Sequence, residues 1–394
     1  MRNHMRKVLF MGYSLRIGGT EQVLATILRY LDQQAFKPVV VTYSDERAYP
    51  LPDGITDYAL GIKGGGTLPR KLAVNLLVVL RLRRILRREQ PDIAVGMGAM
   101  SNWALLLAAK LTPERPAIVV GEHGVGATEI RSDRITANLI RLLNRFLYPL
   151  ADRVISVSEG VRRYLLHDLK LPERKVISIS NPVDVEAIKR LSQEPVDHPW
   201  LVHKNRPVIL WVGRIEKSKG LQYLIGAFER VLTEIDARLI IVGEGSVQRR
   251  IHDLVMQKGL QEKVLFAGYD PNPYRYMLRS DVFVFPSLCE GFGLVLAEAM
   301  ACGLPIVSAD CVAGPAEILE NGNCGILVPV GDEKSLADGI LRILTDPLLR
   351  ERLVKAGARR VTDFHAAHVV ASYEQLFREV CGEQSSRDPL AVRC

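Results

Sequence analysis

Cysteine is absent from the first 288 residues of this 394-residue chain. The six that follow, Cys289, Cys302, Cys311, Cys324, Cys381 and Cys394, form no Cys-x-x-Cys pair and no ligand-type spacing. That excludes a disulfide scaffold and a zinc ribbon, and predicts free thiols in a reducing compartment. Low-complexity tracts are missing, as is any apolar run long enough to span a bilayer. Residues 1–7 lead straight into the strand-like Val8-Leu9-Phe10-Met11, too brief for the core of a signal peptide, so a cytoplasmic chain is expected. Three nucleotide signatures are also lacking. The nearest approach to Gly-x-Gly-x-x-Gly, at residues 124–129, has Glu129 in its third glycine position, which speaks against a nicotinamide dehydrogenase. No Gly-x-x-x-x-Gly-Lys-Ser/Thr occurs, which speaks against a P-loop kinase. No Asp-x-Asp occurs, so a Mg²⁺ or Mn²⁺ clamp has no obvious ligands.

What is present is globular. Apolar residues make up 48% and charged residues 24%, enough to bury large cores, and the length predicts two domains. The net charge of +8 is unevenly spread: residues 1–180 hold 27 Lys and Arg against 16 Asp and Glu, and the remainder holds 25 against 28. A basic first half suits a phosphorylated substrate or an acidic membrane face. No nucleic-acid recognition pattern accompanies it, so nucleic acid is not an expected partner.

Short β-branched runs alternate with helical patterns. Strands are expected at residues 8–13, 39–42, 93–96, 118–121, 154–157 and 176–180, with helices from about residue 20 and at 102–111, 135–148 and from 159. The rhythm breaks between Asn181-Pro182-Val183-Asp184 and Pro207, then restarts with strands at 208–212, 239–242, 264–267, 282–285, 305–308 and 326–328. Helices are expected at about 220–235, 247–258 and 294–301. The fold class is α/β: two Rossmann-like, doubly wound parallel-sheet domains facing a cleft.

The segment from Glu290 to Glu298 carries most information. It sets two carboxylates eight positions apart around Gly291-Phe292-Gly293, where a strand becomes a helix opened by Leu294. Free backbone N–H groups gather there and attract anions. A helical side chain leans toward its N-terminus, so Glu298 reaches back toward the mouth that Glu290 borders. Two hydroxyl-binding carboxylates then flank one phosphate site. Each alone reads equally as a solvated acid; the company decides. Gly213-Arg214-Ile215-Glu216-Lys217-Ser218-Lys219-Gly220 also ends a strand and opens a helix, placing Arg214 and Lys219 where a diphosphate would be held. Gly243 and Gly268 end the next two strands; Gly243 could approach a phosphate or nucleoside through backbone alone, and a base could pack on Tyr269, although an ordinary turn explains this run equally. Gly18 and Gly19 open the first helix, where bare backbone can crowd a phosphate or sugar. His123 ends the strand at 118–121 and faces the cleft, or is one more structural histidine.

Together these residues resemble the retaining GT-B glycosyltransferases of family 4, the bacterial glycosyl transferases of group 1. The likeness runs from about Lys7 to Val380 and takes in Gly303-Leu304-Pro305-Ile306-Val307, Glu317 and Gly325-Ile326-Leu327-Val328-Pro329. It departs from the usual pattern at Ala297 and at Leu288-Cys289. The resemblance implies a basic, acceptor-side domain over residues 1–182, a linker at 183–206 and a donor domain at 207–364. A helix at 365–381 would cross back to the first domain, and a flexible tail would follow at 382–394. It implies that Arg214 and Lys219 bind the donor diphosphate, Glu298 the ribose, and Glu290 with the backbone of Gly291, Phe292, Gly293 and Leu294 the donor sugar. His123 would contact that sugar and Gly19 the acceptor side.

The implied reaction transfers a hexose or N-acetylhexosamine from a UDP-sugar to a polyprenyl-diphosphate-linked saccharide, with retention, without a metal or other cofactor. An epimerase of the same architecture and a non-catalytic sugar-nucleotide subunit are the alternatives. The segment Leu68 to Glu89 interleaves seven cations with leucines. It reads either as an ordinary amphipathic helix or as a contact with the anionic inner face of the cell membrane.

Overall fold

The computed structural model describes residues 5–14, 18–46, 49–62, 68–124 and 134–382, with backbone alone for 68–73 and 134. The expected tail beyond Gly382, most of the glycine run at 124–129, and the side chains of Arg70, Lys71 and Leu72 lie outside the described residues.

Two parallel sheets form the frame. The first has seven strands: β1 (Arg6–Gly12), β2 (Phe36–Thr42), β3 (Thr56–Ala59), β4 (Ile93–Met97), β5 (Ala117–Glu122), β6 (Arg153–Ser156) and β7 (Val176–Ser178). Their order is β3-β2-β1-β4-β5-β6-β7. The central strands are continuous apolar runs because helices cover both faces: Val8, Leu9, Phe10 and Met11 have no solvent exposure. β3 was not expected. It is an edge strand with no buried residue, so Thr56-Asp57-Tyr58-Ala59 has no apolar alternation to betray it.

The second sheet comprises β8 (Val208–Val212), β9 (Arg238–Val242), β10 (Val264–Gly268), β11 (Val282–Phe285), β12 (Ile306–Ala309) and β13 (Ile326–Val328), in the order β10-β9-β8-β11-β12-β13. In both sheets the order reverses beside the first strand, which opens a crevice at the carboxyl ends of β1 and β8. These are two doubly wound domains, and their crevices open onto one cleft.

The chain crosses between domains twice, side by side. Val183 donates its N–H to the Phe364 carbonyl at 2.8 Å, and Ala366 donates to the Val183 carbonyl at 2.9 Å. Beyond that crossing the helix Ala366–Val380 packs on the first sheet, with the Phe377 ring 6.0 Å from Phe10 and 5.8 Å from Phe36. Residues 183–206, expected as the linker, carry ordered structure of their own. Asp184 caps a helix, Val185–Ser192, by accepting from Ala187 N–H at 3.0 Å. That helix is tied to the second domain by Asn272 Nδ2, which donates to the Leu191 carbonyl.

Candidate active site

The cation loop is shaped by a glycine. After β8, residues 217–219 make one tight turn that ends at Gly220, φ 66°, where a Cβ would lie 2.1 Å from the Pro286 carbonyl. Only glycine permits this approach to the chain leaving β11. It brings Lys219 Nζ within 2.6 Å of Glu290 Oε1 and 5.7 Å from the centre of the Phe285 ring. Two contacts thus hold the ammonium, which still has two N–H donors to offer. Arg214, on the same loop, is exposed, and among the described residues no carboxylate ion-pairs with it. Its positive field reaches Glu21 of the first domain and opposes the rise in that carboxyl's pKa caused by burial.

The second segment turns on Gly293, φ 97°, which caps the helix Leu294–Ala301. Glu298, one turn inside, is 5% exposed. Burial raises its pKa, and hydrogen bonds from Gln22 Nε2 at 2.6 Å and Tyr274 OH at 3.0 Å to Oε1 oppose that rise. Phe292 presents only backbone to the cleft, because its ring is 2% exposed and packs edge-on against Phe364 at 5.4 Å. Gly291 has a different constraint: a Cβ there would sit 1.9 Å from the His123 carbonyl oxygen, so this glycine lets the two domains touch. Ser158 Oγ, donating to the Gly291 carbonyl at 2.6 Å, fastens the same contact.

Both ring nitrogens of His123 are buried without a hydrogen-bond partner of full geometry, and so is Asn181 Oδ1. Burial lowers the imidazole pKa to about 4, with Asn181 acting weakly in the other direction. The ring is therefore neutral near pH 7. It can offer one donor and one acceptor to whatever fills the space beside it.

These groups converge on one cleft of about 320 Å³. Gly18, Gly19 and His123 line it from the first domain, and Gly213, Arg214, Lys219, Tyr269, Glu290, Gly291, Phe292, Gly293, Leu294 and Glu298 from the second. Gly243 and Gly268 are not brought to its wall. Gly243 is needed because a Cβ would lie 1.9 Å from the Gly213 carbonyl, and Gly268 has φ 72°, so backbone geometry accounts for both glycines. Sequence reasoning missed Gln22, Tyr49 and Tyr274, which also line the cleft. Gln22 could have been found, since it lies in the first turn after Gly18-Gly19; Tyr49 and Tyr274 carry no local signal. Among the described residues no group of three or more His, Cys, Asp or Glu is placed to hold a metal ion.

Fixed cations at the carboxyl end of one parallel sheet, a helix N-terminus beside them and two carboxylates within one cleft suit a molecule that is anionic at its centre and hydroxylated at both ends. Family comparison agrees. The family description "Glycosyl transferases group 1" matches residues 193–360, and "Glycosyltransferase Family 4" matches residues 17–187. The chain belongs to the group 1 glycosyltransferases. It is 28% identical over 360 residues to the Campylobacter jejuni N-acetylgalactosamine-N,N'-diacetylbacillosaminyl-diphospho-undecaprenol 4-alpha-N-acetylgalactosaminyltransferase, covering 91% of this chain and 96% of that protein. A second C. jejuni transferase, an alpha-1,4-N-acetyl-D-galactosaminyltransferase named for a GalNAc-containing diNAcBac-PP-undecaprenol, is 23% identical over 95% of this chain and 99% of its own length. Among solved structures, sucrose-phosphate synthase from Thermosynechococcus elongatus superposes with a TM-score of 0.81 at 21% identity, over 95% of this chain and 99% of that one. Anabaena HepE with UDP and glucose gives 0.76 at 21%, over 95% and 100%. At that identity the superpositions establish the glycosyltransferase's GT-B fold alone.

Proposed function

We propose that this glycosyltransferase moves a hexose or N-acetylhexosamine from a UDP-sugar to a polyprenyl-diphosphate-linked saccharide, with retention and without a metal ion. The observation that carries the reading is the Lys219–Glu290 contact of 2.6 Å beside Arg214 at the mouth of the Gly293-capped helix. Cleaving the bond from the anomeric carbon to the diphosphate places negative charge on the leaving oxygen. Lys219 keeps one N–H on Glu290 and turns the other two to the phosphates, while Arg214 grips them as a planar fork. Loss of one such preorganised donor typically costs about 3–4 kcal/mol in the transition state.

Glu298 suits the ribose hydroxyls, which would replace Gln22 or share the carboxylate with it. Neutral His123 and the Gly291 to Gly293 backbone suit the sugar. The acceptor hydroxyl attacks the anomeric carbon from the face the diphosphate leaves; the carbon–oxygen bond to phosphate breaks, and the departing phosphate oxygen takes the hydroxyl proton. Support for the acceptor class comes from the two C. jejuni relatives, whose names specify undecaprenol-linked saccharides. Support for UDP comes from the HepE complex. No described helix is long and apolar enough to cross a membrane, so a lipid-linked acceptor would be met at a surface, and we place that encounter at the inner face of the cell membrane.

The test is transfer from UDP-N-acetylgalactosamine or UDP-N-acetylglucosamine to an undecaprenyl-diphosphate disaccharide, with the new anomer assigned by proton NMR. An α-linked product supports the reading. A β-linked product, or epimerised donor without transfer, defeats it.

A further inference from the structure

The helix Arg134–Leu147 turns an apolar stripe to solvent. Ile135, Leu139, Leu142 and Phe146 are 81, 53, 50 and 69% exposed. At about 100° per residue these four fall within an arc of about 60°, one narrow stripe. On the side turned to the protein the fully buried residues are small or polar, while Ile140, Leu143 and Leu147 are half-buried along one flank. Ala137 and Asn144 are buried there, and Asn144 Oδ1 accepts a hydrogen bond from Trp103 Nε1 at 2.7 Å. An ordinary surface helix buries its apolar stripe and shows its polar one. A contiguous exposed apolar strip of this size marks a binding surface.

Neighbouring helices extend it. Leu107 and Leu111 are exposed at the end of the helix Ala99–Lys110, which packs against Arg134–Leu147, and Leu76 is exposed on Leu68–Glu89, which packs against the other side of Ala99–Lys110. Across these three helices there are eleven Lys and Arg and a single Glu, Glu89. Two copies of this surface would repel each other, whereas leucines ringed by guanidinium groups match acyl chains beneath anionic headgroups.

We infer that the apolar stripe of Arg134–Leu147 inserts into the interface of an anionic bilayer and is the principal anchor of the enzyme, with Leu68–Glu89 supplying charge beside it. This rests on the proposed lipid-linked acceptor and says how the protein meets it.

The experiment is flotation of the full chain with vesicles of phosphatidylcholine alone or with 30% phosphatidylglycerol, on the order of charge found in acidic leaflets, for wild type and Leu142→Gln/Phe146→Gln. Wild type is expected to float with the anionic vesicles only. The double variant is expected to bind at least tenfold less, with unchanged circular dichroism and unchanged hydrolysis of UDP-sugar. A Phe146→Trp variant should add a blue-shifted emission on the anionic vesicles. A double variant that floats like wild type overturns the inference, even where lipid-linked acceptors are used. So does a wild type that ignores vesicles, or one that is a dimer split by these substitutions. Insertion without transfer to any polyprenyl-linked acceptor leaves the anchor standing and removes the acceptor reading.

Discussion

Gln22 of the first domain donates a 2.6 Å hydrogen bond to Glu298 of the second, across 276 residues of chain. Tyr274 adds a second bond to the same oxygen, and Gln22 Nε2 also donates to the Tyr274 hydroxyl at 3.1 Å. Within the cleft this trio satisfies a buried carboxylate that would otherwise be costly to keep. Gln22→Leu should lower the thermal midpoint by a few °C, since a hydrogen bond to a charged group contributes about 1.5–3 kcal/mol. Saturating UDP should recover much of that loss if ribose hydroxyls take over the carboxylate. Scanning fluorimetry with and without UDP reads both; a midpoint insensitive to the substitution would remove Gln22 from this role.

His123 gives a pH signature. Its folded pKa is held near 4 by burial, below the ordinary 6.5. Above about pH 6.5 the imidazole is neutral folded or unfolded, so stability does not change on its account. As pH falls from 6.5 toward 4 the unfolded chain takes a proton that the buried site refuses, and stability declines. Urea midpoints at pH 7 and pH 5 should therefore drop more for wild type than for His123→Gln. Equal drops would show that the imidazole is not held neutral by its surroundings.

Two glycines of the cleft should respond in opposite ways to one methyl group. A Cβ at Gly291 lies 1.9 Å from the His123 carbonyl, whereas one at Gly19 meets nothing within 4 Å. Gly291→Ala should push the domains apart, lower the thermal midpoint and reduce transfer more than tenfold. Gly19→Ala should fold as wild type and raise the acceptor KM, because the added methyl points into open cleft. Calorimetry with steady-state kinetics checks the pair; a stable, active Gly291→Ala would mean that the domain contact is dispensable.

Much of this was legible beforehand, for identifiable reasons. Parallel strands buried on both faces write themselves as unbroken apolar runs, which is why β8 and β11 fell where expected and the polar edge strand β3 did not. Lys219 and Glu290 were readable because each lies in the loop that leaves a strand's carboxyl end, and topology carries those ends to one crevice. Gln22, Tyr49 and Tyr274 depend on how one domain sits against the other, and no local pattern records that. The glycines show the same limit from the other side. Gly213, Gly243 and Gly291 signal a crowded backbone, but only the fold says whether a ligand or another stretch of chain does the crowding. The exposed apolar stripe of Arg134–Leu147 was hidden for a related reason: amphipathicity is visible in sequence, whereas how much of the apolar side meets the core is not.

The central claim is that Lys219 and Arg214, rather than a divalent ion, neutralise the departing diphosphate. The direct measurement is kcat for wild type and Lys219→Ala, side by side, in EDTA and after adding manganese. The account predicts a wild-type rate unchanged by either treatment and a variant rate about 10²–10³ lower throughout. A wild-type rate that vanishes in EDTA and returns with manganese, or a Lys219→Ala rate equal to wild type, would contradict it.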